Sequence, residues 1–128
     1  MRLVGMLDSP YVRRAAIALD CLGVPFRHEA VSVFTTFAEF RAINPVVKAP
    51  TLVCDDGTVL MDSTLILQYC EALAAPRTLM PADRPALQRE LRQIGLALAA
   101  CEKSVQVVYE RNLRPADKQH APWVDRVS

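Results

Sequence analysis

Apolar positions fall in short runs over the first half of the chain and in one long seam near its end, with a proline-rich break between them. The run from Arg2 to Leu7 is too short for a helix and is closed by the turn residues Asp8, Ser9 and Pro10, which predicts a buried strand. Val12, Ala15, Ala16, Leu19 and Leu22 then recur at helical spacing. Ser9 is a natural N-cap for that helix, Pro10 suits its first position, and Gly23 with Pro25 beyond it marks the stop. Phe26 to Val33 alternates loosely and reads as a second strand. A strand, helix and strand with this little linker form a right-handed crossover, so the two strands are parallel.

Thr35 to Asn44 carries Phe37, Phe40 and Ile43 at spacings of three and stops at Asn44 and Pro45, which predicts a short irregular helix. Beyond the loop Val46 to Ala49, the runs TLVC and TVLM flank Asp55, Asp56 and Gly57, a strong hairpin signal that makes two antiparallel strands. Asp62 and Ser63 precede a third helix, which either could cap, and whose Leu65, Ile66, Tyr69, Cys70 and Leu73 are expected to form one apolar face. The order is therefore βαβ, helix, ββα. Ala74 to Pro85 holds three prolines, breaks all periodicity and reads as a linker.

The character then changes. Leu91, Ile94, Leu98, Cys101, Val105 and Val108 are spaced 3, 4, 3, 4 and 3, the seam of a helix running from about Arg84 to Leu113. Only a loop and the start of another helix follow, with Pro122 near its first turn and Trp123 and Val127 on one side. A lone apolar seam is not stable in water, so the expectation is a helical domain cut short or a seam buried in another chain.

Composition narrows the function. Apolar residues make up 52% of the chain, enough for a real core, and the net charge is +1 without a basic block of the kind that tracks a phosphate backbone. Nucleic acid is not an expected partner. No run approaches the roughly 18 apolar residues of a membrane span, and no charged leader with a cleavage site opens the chain, so it reads as soluble and unexported. Cys21, Cys54, Cys70 and Cys101 are far apart, with no C-x-x-C pair and two histidines, which assembles neither a zinc site nor a dithiol motif. They read as separate, buried, inert thiols in a reducing cytoplasm.

Three loop features converge on one sheet edge in this arrangement, where ligands of open α/β sheets bind: Ser9 and Pro10, then Lys48, Ala49 and Pro50, then Asp62 and Ser63. The residues alone leave Ser9 two readings. It is a cap, or a cap whose hydroxyl also serves an anion at the positive end of a helix.

In their order and spacing, Ser9-Pro10-Tyr11, then Asn44-Pro45-Val46-Val47-Lys48-Ala49-Pro50-Thr51-Leu52, then Asp62-Ser63, the linker and the long helix, the chain resembles the cytosolic glutathione transferase family, specifically its bacterial, serine-using members. The resemblance implies an α/β, thioredoxin-like βαβ-α-ββα domain over residues 1–75, a linker over 76–83 and the beginning of an all-α domain over 84–128. It implies a cytoplasmic, homodimeric detoxification enzyme that adds glutathione, its co-substrate, to a small electrophile without a metal, and with neither nucleic acid nor membrane as partner. Pro50 would be the family's cis-proline, turning the backbone so that Ala49 pairs with glutathione as with a strand. Asp62 and Ser63 would hold the amine and carboxylate of the γ-glutamyl end. Lys48 would lie beside the glycyl carboxylate, or is a solvated loop lysine.

Ser9 would be the catalytic residue, donating to the glutathione thiolate, and Tyr109 either lines the electrophile pocket or packs. The chain departs from the family in carrying Ala49 for the usual Val or Ile, Asp62 for the commoner Glu, and little of the helical domain. Ser9 stands where a glutathione-dependent disulfide reductase needs Cys. The rival reading is a non-catalytic binding or scaffold protein that keeps the fold and uses the three loops as caps and turns.

Overall fold

In the computed structural model, which describes all 128 residues, the first of two compact units spans Met1–Leu79 and the second Met80–Ser128. The first unit carries β1 (Arg2–Val4), α1 (Pro10–Leu22), β2 (Arg27–Glu29), α2 (Phe37–Ile43), β3 (Thr51–Val53), β4 (Val59–Met61) and α3 (Ser63–Ala74). Its sheet has the order β2-β1-β3-β4, with β1 and β2 parallel and the other pairs antiparallel. This is the expected thioredoxin-like mixed sheet.

Successive strand residues face opposite sides, and the core follows that alternation. Leu3 and Leu52 join Val12, Ala15 and Leu19 of α1 and Ile66 and Cys70 of α3 in one cluster. Val4 turns the other way, into a smaller cluster with Val31 and Phe40 of α2. The α1 helix begins at an extended Ser9 whose Oγ accepts from Val12 N at 3.4 Å, with Pro10 in the first turn. It ends at Gly23, whose left-handed φ of +69° lets the Gly23 and Val24 amides return to Asp20 O and Leu19 O, both at 2.9 Å.

Several expectations need correction. The strand expected over Arg2 to Leu7 stops at Val4, because Gly5 turns away at φ +142° and leaves Met6 and Leu7 exposed. The strand expected over Phe26 to Val33 shrinks to Arg27–Glu29, because the Val31 amide folds back onto Glu29 O at 2.9 Å. The apolar face expected on α3 is split: Ile66 and Cys70 point into the core while Leu65, Tyr69 and Leu73 lie exposed. The sheet receives the stripe Ser63, Ile66 and Cys70, and Leu65, Tyr69 and Leu73 form a separate row at i, i+4 and i+8. Of the four thiols expected to be buried, only Cys54 and Cys70 are. Cys21 is exposed because it lies two residues past Leu19, about 200° round the helix from the core stripe, and Cys101 is half-buried.

The second unit is built on α4 (Arg84–Asn112), followed by a 3₁₀ turn at Ala116–Lys118 and by α5 (Ala121–Val127). Asp83 caps α4, accepting from Ala86 N at 2.9 Å. Glu110 is buried near the end of α4, where its carboxylate accepts from Arg114 Nε and His120 N, both at 2.8 Å, and so ties the helix to the start of α5. Along the predicted seam Leu91 and Val108 are exposed and Ile94, Leu98, Cys101 and Val105 are half-buried. No helix is long and apolar enough to cross a membrane.

Candidate functional site

Strand register brings the three loops to one edge. Val4 pairs with Thr51 and Thr51 with Met61, so the end of β1, the start of β3 and the end of β4 lie side by side. From that edge the chain leaves β1 toward Ser9, enters β3 through Lys48, Ala49 and Pro50, and leaves β4 into Asp62 and Ser63. Gly5 is needed at this edge: a Cβ there would stand 2.7 Å from Val12 Cγ2 and 3.3 Å from Ala49 Cβ, at a φ that other residues rarely adopt.

The Ala49 to Pro50 peptide bond is cis, as expected; the Ala75 to Pro76 bond is also cis, which the sequence reading did not anticipate. The loop ahead of β3 is held from inside. Buried Asn44 donates from Nδ2 to Thr51 Oγ1 at 2.8 Å and accepts from Val46 N at 3.0 Å, while Thr51 Oγ1 donates to Lys48 O at 2.7 Å. Val47 and Asp62 are the non-glycine residues at positive φ, +54° and +71°. Each immediately precedes a predicted ligand contact, Lys48 or Ser63, the kind of place where strained backbone gathers.

Asp62 caps α3 by accepting from Thr64 N at 2.9 Å, and its other oxygen stands 3.9 Å from Lys48 Nζ. Both side chains are about half exposed, so the pair adds little stability and opens readily. Ser63 is buried, and its Oγ accepts from Arg14 Nη1 at 3.0 Å; Thr64 Oγ1 accepts from the same nitrogen at 2.9 Å. Arg14 was missed by the sequence reading, since an arginine on the polar side of α1 carries no local signal of a partner 49 residues away. The Ser9 hydroxyl, half-buried, accepts one long bond from Val12 N and keeps its proton for another partner.

Tyr109 belongs to the second unit. It is 45% exposed and lines an open groove of about 810 Å³ with Val105, Gln106, Leu113 and Trp123. No cluster of three His, Cys, Asp or Glu side chains is placed to hold a metal ion.

A mixed sheet of this order, with two helix N-termini and an X-Pro loop on one edge, defines a domain of the thioredoxin-like class. Residues 3–78 match the family model of the glutathione S-transferase N-terminal domain, and the chain belongs to the glutathione S-transferase family. It is 29% identical over 119 residues to an uncharacterized GST-like protein of Escherichia coli K12, YibF, covering 93% of this chain and 58% of that protein. Among solved structures, a glutathione transferase family member from Pseudomonas fluorescens Pf-5 with bound glutathione is 32% identical, with a TM-score of 0.82 over 98% of this chain and 63% of that one. A glutathione S-transferase from Methylobacterium radiotolerans in complex with glutathione sulfonate is 29% identical, with a TM-score of 0.88 over 98% of this chain and 59% of that one. The chain thus spans about three fifths of the length of these relatives.

Proposed function

We propose that the first unit binds glutathione along the β1, β3 and β4 edge and activates its thiol for attack on a small electrophile, in a cytoplasmic enzyme. The observation that carries this reading is the convergence of Ser9, Ala49 and Ser63 on that edge, set beside the glutathione held by the Pseudomonas relative. Ala49 offers its backbone to the cysteinyl part of the peptide. Ser63 and the first turn of α3 take the γ-glutamyl carboxylate, and Asp62 takes the amine. Lys48 leaves Asp62 for the glycyl carboxylate, a move that costs little because the 3.9 Å pair is exposed.

Ser9 Oγ–H donates to the sulfur. A thiol of pKa about 8.5 is roughly 3% ionised at pH 7, and lowering its pKa by about two units raises the thiolate about 25-fold. The thiol proton leaves to solvent, and sulfur then bonds to the electrophile, which expels its leaving group or, on addition, takes up a proton from solvent. The remaining rate comes from placing the electrophile.

The same reading makes the protein a homodimer. Leu65, Tyr69 and Leu73 form an exposed row on α3, and Leu91 and Val108 leave part of the α4 seam exposed, which supports association of two chains. Sedimentation at rising concentration tests this, and a monomer throughout contradicts it. Isothermal titration with glutathione tests the main reading: heat of binding at one site per chain is expected, and its absence leaves the scaffold reading standing.

A further inference from the structure

We propose that His28 is a positioning residue for Ser9, acting through the Gly5 carbonyl at the point where the chain leaves β1, an inference that rests on the glutathione reading. The register that pairs Leu3 with His28 and Val4 with Glu29 brings Ala30 beside Gly5. The first bond of that step is made, from Gly5 N to Glu29 O at 3.0 Å. In a parallel ladder Gly5 O would next accept from Val31 N. That amide is lost to it, because Val31 N turns back to Glu29 O at 2.9 Å. The half-buried His28 ring takes its place, with Nε2 at 2.8 Å from Gly5 O. A carbonyl oxygen only accepts, so Nε2 carries the proton and donates. Gly5 is buried, and a buried carbonyl left without a donor is costly, so the ring bond keeps this peptide unit in its orientation.

That peptide unit is the root of the segment that carries Ser9. Met6 O, on the next residue, accepts from Ser9 N at 3.2 Å, and Arg13 Nη1 donates to Leu7 O at 2.9 Å. Met6 and Leu7 are exposed, so hydrogen bonds rather than apolar packing hold the segment. Gly5 has no side chain to brace it, and its φ of +142° is one that glycine leaves easily. A swing of the Gly5 to Met6 peptide therefore moves Met6 O and, through its bond, Ser9. The cap bond from Val12 N is 3.4 Å long and anchors Ser9 weakly by itself. A hydroxyl that donates to sulfur weakens steeply when misaligned, so a small displacement of Ser9 shows first as a higher thiol pKa. Ala49 and Ser63 are carried by the segments around β3 and β4, and the change leaves them in place.

The test is ultraviolet titration of the thiol in the glutathione complexes of wild type, His28→Phe, His28→Asn and His28→Gln, with a urea midpoint for each protein to read folding separately. Phe keeps a ring without a donor, Gln places an amide N–H about as far from Cβ as imidazole Nε2, and Asn carries the same amide one bond short. His28→Phe and His28→Asn are each expected to raise the bound thiol pKa by at least about 0.5 unit, a roughly three-fold change in its ionisation constant, and His28→Gln to stay within about 0.2 unit of wild type. Made in Ser9→Ala, the His28→Asn change is expected to move that pKa by less than about 0.2 unit, because the hydroxyl through which it acts is gone. A lower urea midpoint with the bound thiol pKa unmoved in His28→Asn, the same shift in His28→Gln as in His28→Asn, or the same shift with and without the Ser9 hydroxyl overturns the inference while the glutathione reading stands. A wild-type chain that takes up no glutathione, or takes it up with the thiol pKa unlowered, overturns both.

Discussion

Replacing Thr51 with valine separates the polar role of the loop anchor from its packing role. Thr51 is fully buried, and valine has nearly its shape, so no cavity opens. The change strands two partners. Asn44 Nδ2, on a residue 1% exposed, loses its 2.8 Å bond and keeps only a 3.7 Å contact to Met61 Sδ, and an unsatisfied buried donor costs about 1–3 kcal/mol. Lys48 O loses its 2.7 Å bond, a net loss of about 1 kcal/mol. The sum is about 2–4 kcal/mol. Thr51→Ser keeps both bonds and removes one methyl, about 1 kcal/mol. Urea unfolding followed by circular dichroism measures the difference. Because the freed loop carries Lys48, Ala49 and Pro50, Thr51→Val is also expected to weaken glutathione several-fold under native conditions, and Thr51→Ser to leave it near wild type. Thr51→Val within about 0.5 kcal/mol of wild type, or Thr51→Ser costing as much as Thr51→Val, would refute the buried-network account.

Gly5→Ala puts a Cβ 2.7 Å from Val12 Cγ2 at φ +142°, so it is expected to cost about 2–4 kcal/mol in the same unfolding assay, and a cost below about 0.5 kcal/mol contradicts the close approach. Burial, with Cys54 nearby, pushes the Cys70 thiol up from 9.0 to about 11. The unfolded chain therefore loses this proton first: the contribution is complete below pH 9.0 and is lost as pH rises toward 11. The urea midpoint of wild type is expected to fall over that interval relative to a Cys70→Ala variant, and parallel curves refute it. Exposed Cys21 is expected to react with a maleimide in the folded chain and Cys54 and Cys70 only after unfolding, as mass spectrometry would resolve.

What could be read before the structure was local. Ser9, Pro10 and Gly23 bound α1 because caps act within one turn, and Asp56 with Gly57 announced the β3 and β4 hairpin because the turn residues themselves demand it. What could not be read depends on distant partners. Leu65, Tyr69 and Leu73 satisfy helical periodicity as well as Ile66 and Cys70 do, and only the direction of the sheet decides which row is buried. Cys21 was misplaced because an apolar neighbourhood in sequence does not fix an angle around the helix. Met6 and Leu7 fell outside β1 because Gly5 redirects the backbone against Val12. The site divides in the same way: Lys48, Ala49, Pro50, Asp62 and Ser63 were legible as loop residues, whereas Arg14 and the Asn44 to Thr51 bond needed the fold.

Whether Ser9 holds a glutathione thiolate as well as capping α1 is read by ultraviolet titration of the thiol in the glutathione complexes of wild type and Ser9→Ala. Loss of the cap alone costs stability, at the low end of about 0.5–2 kcal/mol because the bond to Val12 N is 3.4 Å long, and leaves the thiol pKa where it was. Loss of a charge-assisted bond to sulfur raises that pKa by at least about one unit, equivalent to roughly 1.4 kcal/mol. A bound thiol about two units below free glutathione is expected in wild type, and one at least about one unit higher in Ser9→Ala. Equal thiol pKa values and equal turnover in the two proteins would contradict it and leave Ser9 a helix cap.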